Sequence, residues 1–128
     1  MTGYTLRNLK EIDDMAERFG LGEGLEARFA RGALELENFG LSYQKLKPNF
    51  RIPFGHKHDL QEEVYIVVNG TARMKLDDEI VELKPWDAIR VPPQVTRALE
   101  AGPDGVEVLA IGAPQAQDTA MQQGWWDD

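Results

Sequence analysis

Apolar and polar positions along the chain change period near residue 20. Between Lys10 and Phe19 the residues Ile12, Met15, Ala16 and Phe19 recur at helical spacing, and Gly20 stands where a C-terminal glycine cap belongs. One short N-terminal helix is predicted. After Gly22 and Gly24 the pattern becomes that of extended chain, first over 25–36 and then over 39–46, closed by Lys47-Pro48-Asn49. Residues 63–68 are rich in β-branched and aromatic side chains, and Asn69-Gly70 behind them suits the positive φ of a two-residue hairpin turn. Ala72, Met74 and Leu76 then alternate with Thr71, Arg73 and Lys75, which predicts a strand with one buried and one wet face. Asp77-Asp78 turns it back. Short strands are expected over 80–83, 88–91, 95–101 and 106–111. Between them stand Lys84-Pro85, with Trp86-Asp87 shaping a turn, then Pro92-Pro93 and Gly102-Pro103-Asp104-Gly105. Short strands so punctuated predict an all-β sandwich or barrel with a core over about 25–112. The segment 1–24 carries the helix. The tail 113–128 is polar until Trp125-Trp126 and reads as an appendage whose two tryptophans dock on another surface.

The length of 128 residues suits one domain, and 42% hydrophobic with 28% charged residues is enough for a packed core. Cysteine is absent, so disulfides, thiolate metal sites and cysteine nucleophiles are excluded. The net charge of −8 opposes encounter with nucleic acid phosphates or anionic lipid. No secretory pattern opens the chain and no run of about 18 apolar residues occurs, so a cytoplasmic protein without nucleic acid or membrane partners is expected.

Both histidines of the chain stand two residues apart, at His56 and His58, with Glu63 shortly after. Residues two apart on a strand share a face, so the two imidazoles project together. Glu63 shares its parity with Tyr65 and Val67. If that parity faces the barrel interior, two imidazoles and a carboxylate converge. Borderline divalent metals such as Fe, Mn, Ni, Zn or Cu accept that donor set. An isolated His-x-His also fits a polar, solvent-facing loop.

The run His56, Lys57, His58, then Glu63, then Gly70 resembles the first motif of the cupin superfamily, in which a His-x-His is followed by a glutamate and a glycine at this spacing. The second cupin motif matches by pattern only. Aligned on Pro92, it puts Trp86 and Gln94 at glycine positions, Arg97 at the usual fourth histidine ligand and Ala101 at a terminal asparagine. The resemblance spans about Arg51 to Ile111 and implies a double-stranded β-helix, the cupin-type jelly-roll barrel. The fold serves enzymes and binding proteins alike and does not choose a function. Strand parity groups Arg97 with Val95 and Leu99, turning its guanidinium inward.

An arginine cannot ligate a cation, so two readings stand. In one, His56, His58 and Glu63 hold a metal while Arg97, helped by Tyr65, binds an anionic substrate of an oxygenase-like or isomerase-like enzyme. In the other, Arg97 pairs with Glu63 in a metal-free ligand-binding or sensor module. Val64, Ile66 and Val68 form an apolar stripe on the opposite face, to be covered by N-terminal strands or a second subunit. The resemblance favours a homodimer.

Overall fold

From residue 25 onward the predicted alternation becomes a curled antiparallel sheet. Its strands are β1 (Leu25–Phe29), β2 (Gly40–Leu46), β3 (Gly55–His58), β4 (Glu63–Leu76), β5 (Glu79–Leu83), β6 (Ala88–Val91), β7 (Arg97–Gly112) and β8 (Thr119–Gln122). The computed structural model describes residues 3–113 and 119–128. Long β4 and β7 form the spine and pair with each other on both sides of a bend. The other edge of β4 takes β6 along Glu63–Ile66 and β5 along Ala72–Leu76. Strand β7 carries β2, which carries β1, and at Arg97 it meets β3. The sheet thus rolls into a jelly-roll barrel. Inward side chains of the two spine strands and their neighbours fill it: Val67, Met74, Val91 and Val108 are fully buried, each such residue contributing about 1.5–3 kcal/mol. Among the described residues no helix is long and apolar enough to cross a membrane.

Several local expectations are revised. Asn69-Gly70 does not close a hairpin, because β4 runs straight through it. Gly70 does adopt positive φ (76°), but it uses this to bend the strand. Gly70 pairs with Val106 and Ala72 with Ala101, so residues 102–105 bulge out opposite Thr71, and the two expected strands on either side of them are one strand. A Cβ on Gly70 would collide with the Gly105 carbonyl, which makes glycine the residue this bend requires.

The N-terminal helix is instead two 3-10 turns, Leu9–Glu11 and Ala16–Phe19, the second capped by Gly20 at φ 75°. Asp14 divides them. Its Oδ1 accepts from the Ala16 and Ala27 amides, each at 3.0 Å, and it bridges to Arg28, pinning the chain in extended form against β1. The expected strand over 25–36 ends at Phe29. A single helical turn, α1 (Arg31–Leu34), follows. Arg, Ala and Leu favour helix, and none of its residues is β-branched.

The tail is no appendage. Residues 114–118 lie outside the described part, but beyond them β8 adds to the free edge of β3, pairing Gly55 with Gln122 and His58 with Thr119. Trp125 is buried against Gly55, and the Lys75 ammonium sits 3.7 Å from the centre of its ring. Trp126 donates to the Ile52 carbonyl at 2.8 Å, and Asp128 pairs with Arg51 (2.8 Å) and Arg73 (3.1 Å). Lys75, expected on a wet face, is consequently 4% exposed.

Candidate metal centre

Strand β3 presents His56 and His58, and the loop after it brings Glu63, the first residue of β4, to meet them. His56 Nε2 lies 3.5 Å and His58 Nε2 3.3 Å from Glu63 Oε1. The two rings stand edge to face, 5.3 Å apart and at 81°. One donor atom from each of the three residues lies within 4.8 Å of the other two. Small side-chain rotations would bring all three onto one ion, whose bonds to such donors are about 2.0–2.2 Å. The same-face expectation for His56, His58 and Glu63 therefore holds.

Glu63 is the hub. Its Oε1 accepts the Tyr65 hydroxyl at 2.8 Å and has Arg97 Nη2 at 3.1 Å, while Oε2 accepts from Gln61 at 3.0 Å. Burial alone would raise the carboxyl pKa. Hydrogen bonds from His56 and Tyr65, with the charges of His56 and Arg97, outweigh burial and hold it at about 2. Glu63 is thus an anion at any pH at which a metal would be offered. Burial and the neighbouring Glu63 charge push the Tyr65 phenol well above its ordinary value, against the opposing charge of Arg97, so Tyr65 stays a neutral donor. Its oxygen is also 3.4 Å from His56 Nε2.

Arg97 is drawn in as its parity predicts, opposite His56 in the ladder and 1% exposed. Its Nη1 donates to the Val95 carbonyl at 2.8 Å, with longer contacts to the carbonyls of His56 (3.4 Å) and Pro93 (3.5 Å). Nη2 faces Glu63 as an ion pair. The guanidinium lies behind the carboxylate, outside the set of residues that line the cavity. The histidine and glutamate cluster and the Glu63–Arg97 pair, alternatives on sequence grounds, coexist here.

Thr119 of β8 places its Oγ1 3.3 Å from His58 Nδ1. When Nδ1 carries the imidazole proton it donates to Thr119, which leaves the Nε2 lone pair turned toward Glu63. No spacing in the sequence could reveal this contact, because it depends on a strand pairing formed beyond residues 114–118.

The cluster opens into a cavity of about 540 Å³. His58 and Tyr65 are buried in it, whereas Phe19 and Phe29, which also line it, are about half exposed. The chemical groups therefore lie at the deep end and the aromatic rings at the mouth.

The Cupin domain family matches residues 42–112, just over half of the chain. The chain belongs to the cupins. Its barrel is similar to that of a cupin protein from Bacteroides fragilis, with 22% identity, a TM-score of 0.73 and coverage of 91% of this chain and 89% of that one. It is also similar to oxalate decarboxylase from Bacillus subtilis (24% identity, TM-score 0.66, 76% of this chain and 28% of that one). A sugar phosphate isomerase from a cupin superfamily, from Silicibacter pomeroyi, matches at 17% identity and a TM-score of 0.65, over 79% of this chain and 77% of that one. At such identities the likeness is one of fold. A stretch of 45 residues is 40% identical to an uncharacterized protein of Methanocaldococcus jannaschii, spanning 35% of this chain and 36% of that protein.

Proposed function

We propose that this cupin binds one divalent transition metal (Fe, Mn, Ni, Zn or Cu) through His56, His58 and Glu63 and acts on a small anionic molecule in the cavity beside it. The observation that carries this reading is the convergence of the three donor atoms within 4.8 Å at the deep end of that cavity. A metal there supplies Lewis-acid or oxygen-activating chemistry. The chain's own residues do the rest. Gln61 and Tyr65 orient the Glu63 carboxylate, and Thr119 orients His58. Arg97 contributes charge from behind Glu63. With neutral imidazoles, a divalent cation, the Glu63 anion and the Arg97 cation sum to two positive charges, a centre that favours an anionic oxygen donor. That Mn(II) centres occur in the oxalate decarboxylase of Bacillus subtilis supports the metal reading for a barrel of this kind.

The second reading, a metal-free binding or sensor module, draws on the 3.1 Å approach of Arg97 to Glu63. Without a cation the two charges cancel and the anion preference goes. Calorimetric titration of metal-stripped protein with Mn, Fe, Co, Ni and Zn salts, beside a His56→Ala, His58→Ala double variant, separates the two. Binding of one ion per chain, lost in the variant, supports the metal reading. Equally weak binding in both proteins hands the cavity to the sensor reading. We also propose a homodimer through the outer face, where Val64 and Ile66 lie in register with Ile111 and Leu109 and Val64, Ile66 and Val68 are only half-buried.

A further inference from the structure

The cavity joins one polar cluster to a largely apolar wall. At the bottom are His56, His58, Glu63 and Tyr65. Leu21, Ile52 and Phe54, half-buried, contribute to the apolar wall together with buried Leu25, Ala27 and Ala110. At the mouth Phe19, Phe29 and Met121 are 49%, 47% and 55% exposed, so a third of the nine large hydrophobic side chains that stand exposed among the described residues gather on this one opening. Phe19 and Phe29 meet edge to face, with centroids 6.2 Å apart and planes at 80°, which makes them a preformed aromatic wall. The remaining polar lining is largely turned on itself: Gln44 donates to Ser42 at 3.3 Å, and Gln61 holds Glu63. Among the described lining residues the cations are limited to Arg31, exposed at the rim.

We infer that the molecule held here is a monocarboxylate with an apolar body, and neither a dianion nor a phosphorylated sugar. The inference rests on the metal reading above, since it is the metal-loaded centre that is positive enough to take the carboxylate. Beyond that head the wall offers apolar surface, which rewards each buried methylene. A second anionic group too far from the first to share the ion would have to lie against Leu21, Ile52 and Phe54 or stay in water at the rim beside Arg31. Sugar hydroxyls on the same wall would lose their hydrogen bonds to water and find few replacements.

The test uses full-length protein loaded with Zn(II), its stoichiometry first established by titration. Acetate, butyrate, hexanoate, 3-phenylpropanoate, adipate and ribose 5-phosphate are then titrated calorimetrically. Affinity rises about fourfold for each methylene added between acetate and hexanoate, and 3-phenylpropanoate binds at least as tightly as hexanoate. Adipate, which differs from hexanoate by a terminal carboxylate, binds about tenfold more weakly, and ribose 5-phosphate more weakly than hexanoate. Phe29→Ser, its metal stoichiometry again established by titration, flattens the series. A flat series on metal-loaded wild type, or adipate or ribose 5-phosphate binding more tightly than hexanoate, overturns this inference and leaves the metal reading standing. Failure to bind Zn(II) at all overturns both.

Discussion

Replacing Arg97 by methionine separates the stability of the barrel from its capacity for metal, because the two should move in opposite directions. Arg97 is 1% exposed, its guanidinium 3.1 Å from Glu63 Oε1, and methionine keeps the apolar stem while removing the charge. Breaking a buried ion pair from one side costs about 3–5 kcal/mol. Here Glu63 keeps the Tyr65 and Gln61 hydrogen bonds and the two imidazoles, so the lower end, about 3 kcal/mol, is expected for metal-free protein. In a domain of this size that lowers Tm by about 10 °C. Metal binding should respond the other way. A unit charge at about 4 Å in a medium of effective dielectric 20 is worth up to about 4 kcal/mol of repulsion toward each charge of an incoming cation. Relaxation and water reduce this, and a gain of at least tenfold in metal affinity remains. Tenfold tighter binding returns about 1.4 kcal/mol at saturating metal, so loading the variant should recover nearly half of its lost stability relative to wild type. Thermal unfolding of stripped and loaded proteins, with calorimetric metal titration of both, provides the measurement. A stripped Arg97→Met as stable as wild type, or a variant that binds metal more weakly, refutes the reasoning. Arg97→His, which adds an imidazole to the same loss of fixed charge, should gain at least as much metal affinity.

Three further outcomes follow from the same contacts. Thr119→Val removes the partner of His58 Nδ1 and should weaken metal binding about tenfold by calorimetry with little change in metal-free Tm. Trp125→Ala opens the packing against Gly55 and the Lys75 contact. It should cost about 3 kcal/mol in urea unfolding and speed amide exchange over residues 55–58, whereas unchanged exchange there would mean that the tail does not brace β3. Asp14→Ala loses two backbone hydrogen bonds and should cost about 1 kcal/mol near neutral pH. Burial tends to raise the Asp14 pKa, but the Ala27 and Ala16 amides and the Arg28 charge bring it below the ordinary value. Its stabilisation is therefore present above that ordinary value and is lost as pH falls through the depressed one, so the gap between wild type and variant should narrow as pH falls below the ordinary carboxylate range.

The strand pattern was legible wherever one face is buried by its nearest neighbours in sequence. Ala72, Met74 and Leu76 read correctly as inward, and the parity of His56, His58, Glu63 and Arg97 followed from the same alternation. What escaped depends on contacts between distant parts of the chain. Asn69-Gly70 has the composition of a hairpin turn, and only its meeting with Gly105 shows that the positive φ serves a bend. The helical spacing of 12–19 was overridden because Asp14 gives its carboxylate to the Ala16 amide and to the Ala27 amide of β1. Lys75 read as wet because its cover comes from Trp125 and Asp127, some fifty residues later. At the site, the three donors could be named from spacing, whereas Thr119 and the aromatic mouth required the fold.

The central claim is that His56, His58 and Glu63 hold one metal together, and X-ray absorption at the edge of the bound ion tests it most directly. Protein without a histidine tag, reconstituted with one equivalent of Mn(II) or Zn(II), should give an extended fine structure with multiple-scattering features of two imidazoles and a remaining shell of oxygen. His58→Ala should remove one imidazole from that pattern. An all-oxygen shell in wild type, or a spectrum unchanged by the substitution, would place the ion elsewhere on this acidic chain and contradict the account.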